Sequence, residues 1–142
     1  MKTVKQLLDT KSAQIFSVPA DTSVLNALSV MMEKNISALL IMEAGQLLGI
    51  FTERDYARKI ILQGRSSADT ELREVMTANL LTITPEDSLE HCMKIMTDDH
   101  IRHLPVIANA QVAGMVSIGD VVKFIIEDQK QTISQLEGYI NS

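Results

Sequence analysis

The chain has 142 residues, of which 46% are hydrophobic, 22% charged and 4% aromatic, with eight Met and no Trp; this is a globular composition whose core must be aliphatic. A net charge of −5 argues against an extended nucleic-acid partner, which needs a basic face, but leaves room for a small anion held by a few local cations. The N-terminus from Met1 to Leu7 has no apolar signal-peptide core, no run of about 18 apolar residues is present to span a membrane, and the single Cys92 cannot close an intrachain disulfide, so a cytoplasmic protein is expected.

In chain order, the pattern is read once and then repeated. Ile15 to Val18 is a short apolar run. Asp21, Thr22 and Ser23 then open a helix whose apolar stripe is Val24, Ala27, Leu28, Met31 and Met32. Two strands follow, Ala38 to Met42 and Leu47 to Phe51, joined at Glu43-Ala44-Gly45, and a further helix begins near Thr52. The polar stretch Gln63 to Thr70 is a linker. The second pass runs through Leu80 to Ile83 and a helix start at Thr84 to Ser88, with Pro85 suited to the first helical position. Its helical stripe is Leu89, Cys92, Met93 and Met96, its strands are His103 to Ile107 and Val112 to Val116, and its closing helix begins near Ser117. His91 and His100 are read as surface residues of the first helix in this copy.

A shift of 65 residues superposes the two passes without a gap from Val18 to Ile61, placing Gly49 on Gly114, Thr52 on Ser117 and Asp55 on Asp120. Upstream, Val4 to Leu8 falls on Leu72 to Met76 at a shift of 68. The order is β-α-β-β-α, twice, an α/β fold. Two copies are too few for a solenoid and suggest halves packed about a pseudo-twofold axis. The expected divisions are 1–66, 67–128 and a helical extension over 129–142. Ile133, Leu136, Tyr139 and Ile140 form an apolar stripe on that extension, which could dock on the first copy or on another chain.

The sharpest motif is Gly, two apolar residues, a hydroxyl, two variable residues and Asp: Gly49 to Asp55, mirrored by Gly114 to Asp120. Hydroxyl and carboxylate three apart form a capping box at a strand-to-helix junction. The same geometry can clamp a nucleotide: hydroxyl and amides at a helix start attract phosphate, the carboxylate accepts from sugar hydroxyls, and the glycine lets a ligand approach the backbone. Arg54 and Arg58 share a helix face in copy one, whereas copy two carries Arg102 and His103 at a strand entrance. No phosphate-binding Gly-rich loop, dinucleotide fingerprint or zinc-ligand spacing is present, so neither enzyme nor metal protein is expected.

These residues, with Ile101-Arg-His-Leu-Pro-Val106 and Gln63-Gly-Arg-Ser-Ser67, resemble the stand-alone pair of CBS domains, the family named after cystathionine β-synthase, over roughly Val4 to Ile126. The resemblance implies two ligand clefts between the repeats, a homodimer, and an adenosine-containing ligand. AMP or NAD(H) is favoured and ADP and ATP are admitted. S-adenosylmethionine is disfavoured, because its sulfonium group needs no cations. By the family pattern Asp55 and Asp120 would hold ribose, and Thr52 and Ser117 phosphate. Arg102 and His103 would line the second site's phosphates, with Arg54 and Arg58 serving the first. Backbone at Ser17-Val18 and Thr82-Ile83 would read the adenine edge, and Ile36, Ile101 and Pro105 would be apolar walls. Copy one departs from the pattern, with Ser37-Ala38 where copy two has its cationic pair. The expected function is a non-catalytic sensor read by an unknown downstream partner. The alternative is an interaction scaffold with vestigial sites.

Overall fold

The computed structural model describes residues 2–11 and 14–140. The chain forms two compact units. One is Gln14–Leu81, and the other joins the N-terminal segment to the residues from Thr82 onward.

In the Gln14–Leu81 unit, β1 (Ser17–Val18) runs parallel to β2 (Ala38–Glu43), which is antiparallel to β3 (Gln46–Thr52). Ala44 and Gly45 turn the hairpin with φ of 52° and 78°, the paired left-handed conformation that suits the twist of two-residue hairpins. Helix α2 (Val24–Lys34) starts because the Ser23 side chain accepts from the Asn26 amide, and stops at Asn35 in the left-handed region. Val24, Ala27 and Met31 bury one stripe against Leu39, Ile41 and Phe51. Met32, expected in that stripe, is 85% exposed; one residue turns a helix by about 100°, which carries it past the edge of the buried face. Helix α3 (Glu53–Tyr56) widens into a π-helical turn over Ala57–Ile61, with the Leu62 amide donating to the Ala57 carbonyl at 3.0 Å.

The other unit repeats this plan around α4 (Leu89–Asp98), the antiparallel pair β4 (His103–Ala108) and β5 (Gln111–Ser117), and the 23-residue α5 (Ile118–Ile140). Three expectations change here. Pro85 is not the first helical residue: Ser88 caps α4, while Pro85 sits in the preceding turn and its carbonyl accepts from the Lys5 amide. Met93, at the edge of the stripe, is 38% exposed. The run Leu80 to Ile83 is no strand but a single parallel bridge of Ile83 to Val106. In the first copy the Leu40 amide donates to the Phe16 carbonyl at 3.3 Å; the residue aligned with Leu40 is Pro105, which has no N–H, so the ladder loses that rung.

The short segments that lead each repeat pack on the other copy's strand–helix element. Helix α1 (Val4–Leu8) is stitched to the start of α4 by Val4 N–H to Asp87 O and Leu89 N–H to Lys2 O, and it puts Val4 and Leu7 into the core with Leu89, Cys92 and Val116. The equivalent Leu72–Glu74 turn is joined to the start of α2 by Leu72 N–H to Thr22 O and Val24 N–H to Thr70 O, both 2.8 Å. Helix α5 runs unbroken into the extension, where Ile133, Leu136, Tyr139 and Ile140 are all more than half exposed. Residues 141–142, the end of the expected extension, lie outside the described residues.

Candidate functional site

Both motif copies fold as reciprocal caps. At the end of β3, the Thr52 hydroxyl accepts from the Asp55 amide at 3.1 Å and Asp55 Oδ2 accepts from the Thr52 amide at 3.0 Å. At the end of β5, the Ser117 hydroxyl accepts from the Asp120 amide at 3.0 Å and Asp120 Oδ2 accepts from the Ser117 amide at 2.9 Å. The amides of Glu53 and Ile118 donate to the carbonyls of Ser37 and Arg102. Two of the first three amides at each helix start are therefore engaged within the chain, and the structural half of the motif's double reading is fully realised.

The glycines have a different role from the one expected. A Cβ at Gly49 would lie 2.8 Å from the Thr77 carbonyl oxygen and 2.9 Å from Met76 Sδ, and one at Gly114 would lie 3.0 Å from Leu8 Cδ2. Met76 and Leu8 are equivalent under the 68-residue shift. The close approach over each glycine is thus made by the exchanged leading segment, and that space is not open to a ligand.

The two carboxylates differ. Asp55 is buried, 9% exposed. Its Oδ2 accepts from the Thr52 amide and hydroxyl, and its Oδ1 from Thr77 Oγ1 at 3.1 Å and Lys59 Nζ at 3.1 Å. Asp120 is half-buried, and Lys11 Nζ reaches its Oδ2 at 2.8 Å while also donating to the Met115 carbonyl at 2.9 Å. Burial pushes the Asp120 carboxyl up, but hydrogen bonds from Lys11 and Ser117 together with the Lys11 charge hold it below the ordinary value. His103 pairs with Ser117 across β4 and β5. Burial lowers its pKa; the Asp120 charge opposes that, and Arg102 and Lys11 add to it, so the ring is neutral near pH 7.

Arg102, His103, Ser117 and Asp120 are therefore gathered at one end of the β4–β5 hairpin, with Arg102 exposed and its carbonyl on the first amide of α5. Ile101 packs against the core of its unit, and Pro105 is buried in β4. Thr82 is exposed, whereas the Ile83 amide and carbonyl are both bonded to β4, through Pro105 O at 3.0 Å and Ile107 N at 2.8 Å. Of the backbone pair expected to read a base, Thr82 is the exposed member. In the first copy, Ser17 is exposed, Val18 half-buried and Ile36 packed against the core. Arg54 and Arg58 are exposed on opposite sides of the change from α to π winding. Arg58 lines a shallow depression of about 440 Å³ with Lys59, Gln63, Arg65, Glu74 and Val75, and none of Thr52, Arg54 and Asp55 belongs to it. Among the described residues no cluster of three or more His, Cys, Asp or Glu is arranged to hold a metal, and no helix is long and apolar enough to cross a membrane.

Sequence reasoning missed Lys11, Thr77 and Lys59. The Asp55 to Lys59 spacing of four on a helix was a readable signal. Lys11 lies 109 residues from Asp120, and nothing local announces such a pair.

Comparison with known proteins agrees with this construction. A family model for the CBS domain matches residues 4–62 and again 72–127, and the chain belongs to the CBS-domain family, as a pair of such domains. It is 44% identical over 125 residues to the mitochondrial CBS domain-containing protein CBSX3 of Arabidopsis thaliana, covering 84% of this chain and 61% of that relative's length. It is 44% identical to a solved structure from Burkholderia ambifaria MC40-6, named as a candidate signal-transduction protein with CBS domains; the match covers 90% of this chain and 96% of that one, with a TM-score of 0.87. The CBS domain pair of protein MJ0100, solved with 5-methylthioadenosine and S-adenosyl-L-methionine, is 25% identical with a TM-score of 0.79 over 90% of this chain and 98% of that one.

Proposed function

We propose that this CBS pair is a non-catalytic regulatory module that binds an adenine nucleotide, AMP or NAD(H) before ADP or ATP. The second copy's site leads. The observation that carries the reading is the cluster of Lys11, Arg102, His103, Ser117 and Asp120: a half-buried carboxylate suited to ribose hydroxyls, set among cations suited to phosphate. The adenosine ligands of the MJ0100 pair support the nucleoside half of the reading; the cations here support phosphate over a sulfonium. In the first copy both Asp55 oxygens are already engaged, so binding there must displace Thr77 or Lys59 and should be weaker. A buried, unpaired Cys92 supports a reducing compartment, and we assign the cytoplasm. A second copy and a downstream protein would complete the module, since a ligand acts only by favouring one of two states that a partner can distinguish.

Isothermal titration with AMP and with NADH tests this on the wild type, Asp120→Asn and Asp55→Asn; asparagine keeps the cap's acceptor in both variants. Asp120→Asn should remove the tighter binding and leave only the weaker first-copy site, whereas Asp55→Asn should leave the tighter binding in place. Undiminished binding in Asp120→Asn would remove the proposed site.

The scaffold reading draws on the exposed apolar face of α5. It predicts no heat with any nucleotide.

A further inference from the structure

The shallow depression at Arg58 is cationic, and most of its parts are held in place. It measures about 440 Å³ and lies wholly within the Gln14–Leu81 unit. Lys59 is fixed there: its Nζ donates to the Val75 carbonyl at 2.8 Å and pairs with Asp55 at 3.1 Å. Arg65 is fixed through one guanidinium nitrogen, Nη2, which donates to Glu74 Oε1 at 2.7 Å. Glu74 is held in turn by the Glu71 amide, which donates to its Oε2 at 3.0 Å. Each of these two cations thus has its own carboxylate. Arg58 makes no ion pair or side-chain hydrogen bond among the described residues, and neither does the Gln63 amide. The depression therefore carries an unmatched positive charge, on a chain whose net charge is −5.

The second copy does not repeat this arrangement. Arg58 and Lys59 lie on the π-helical turn Ala57–Ile61, a winding found frequently at functional sites. The residues aligned with Arg58, Lys59, Gln63 and Arg65 are Lys123, Phe124, Asp128 and Lys130, all on the regular helix α5. There Phe124 packs on the core and Asp128 pairs with Lys2 at 3.2 Å, so the aligned set cannot line a cationic hollow. Charge then selects the occupant. A single unmatched guanidinium is neutralised by one carboxylate, whose two oxygens fit its planar fork. A phosphate monoester brings nearly two charges and would leave one uncompensated beside Glu74. An exposed ion pair is weak, so a small free acid gains little in so shallow a hollow. A polypeptide carrying several carboxylates adds contacts to the remaining Arg65 donors and the Gln63 amide.

We propose that this depression docks an acidic, carboxylate-bearing segment of a partner protein, with Arg58 as the anchor. The proposal does not depend on nucleotide binding, and its test uses nucleotide-free protein, so the two readings can fail separately. NMR titration of the full chain with a hexaglutamate peptide should shift the amide signals of residues 58–65 and of Glu74 and Val75. Arg58→Gln changes only an exposed side chain and should weaken the peptide about threefold or more at unchanged circular dichroism. Arg102→Gln, at an exposed cation of the other unit, should leave the peptide's affinity at the wild-type value. Absence of shifts at those residues overturns the proposal, and so does equal weakening by Arg102→Gln, which means attraction to positive charge anywhere on the surface. Glutarate binding as tightly as hexaglutamate overturns the polypeptide occupant and leaves a small-acid site. A phosphoserine peptide of equal length and charge that binds more tightly overturns the choice of carboxylate.

Discussion

Alanine at the two equivalent glycines should have unequal effects. The Cβ at Gly49 meets a backbone oxygen, Thr77 O, at 2.8 Å and Met76 Sδ at 2.9 Å; at Gly114 it meets one side-chain methyl, Leu8 Cδ2, at 3.0 Å. The Thr77 carbonyl cannot retreat cheaply, because it accepts from the Ile50 amide at 3.0 Å while the Thr77 amide donates back to Ile50 at 2.9 Å. Overpacking against such a contact costs about 1–3 kcal/mol, against which the loss of glycine's freedom in the unfolded chain returns only about 0.4–1 kcal/mol. Neither glycine has a positive φ, so alanine strains no backbone. Gly49→Ala should therefore destabilise by roughly 1–2 kcal/mol. Gly114→Ala should fall within about 0.5 kcal/mol of wild type, because the end of a leucine side chain can turn aside. Urea unfolding gives both values from the midpoint at constant slope. A Gly114→Ala loss equal to or larger than that of Gly49→Ala would refute the assignment of these glycines to the exchanged segments.

Lys11→Met should remove about 1 kcal/mol at pH 7, a charge-assisted hydrogen bond discounted because both side chains are about a third exposed. Because the Asp120 carboxyl is held low, that contribution is full above the ordinary carboxylate value of about 3.9 and is lost as pH falls through the folded value; urea unfolding of the two proteins should converge in acid, and NMR should show the Asp120 carboxyl titrating higher in the variant. His103 has a lowered pKa, so the unfolded chain takes up its proton first and stability falls as pH drops from about 6.5 through the folded value; the thermal midpoint of His103→Gln should lose that part of the slope. Burial, and secondarily the Asp87 charge, pushes the Cys92 thiol up to about 11, so a thiol reagent at pH 8 should label it only at the rate of unfolding; prompt labelling of the native protein would contradict its place in the core.

Much of the fold was legible because the chain states it twice. The shift of 65 marked the order of elements, the hairpins and the helix starts, and a hydroxyl three residues before a carboxylate is a local signal with a local consequence. What was not legible came from geometry beyond one turn. Met32 and Met31 are equally apolar, and only the azimuth of the packed face separates them. Pro105 was read only as an apolar wall; that its missing N–H removes the ladder rung which Leu40 makes to Phe16 in the first copy shows only once the two strands are laid side by side. Gly49 and Gly114 promised close approach, and close approach occurs, but the occupant is a segment from outside the repeat's own frame. The site was half visible: Arg102, His103, Ser117 and Asp120 lie on adjoining elements and could be grouped from pattern alone, whereas Lys11 arrives through the exchange of the N-terminal helix.

Adenine-nucleotide binding is best checked by thermal unfolding of nucleotide-free protein against AMP, ADP, ATP, NAD⁺, NADH and S-adenosylmethionine. A ligand at a hundred times its Kd that binds only the folded state stabilises by about 2.7 kcal/mol. A shift with AMP or NAD(H) that falls sharply in Asp120→Asn is expected; no shift with any of the six would contradict adenine-nucleotide binding.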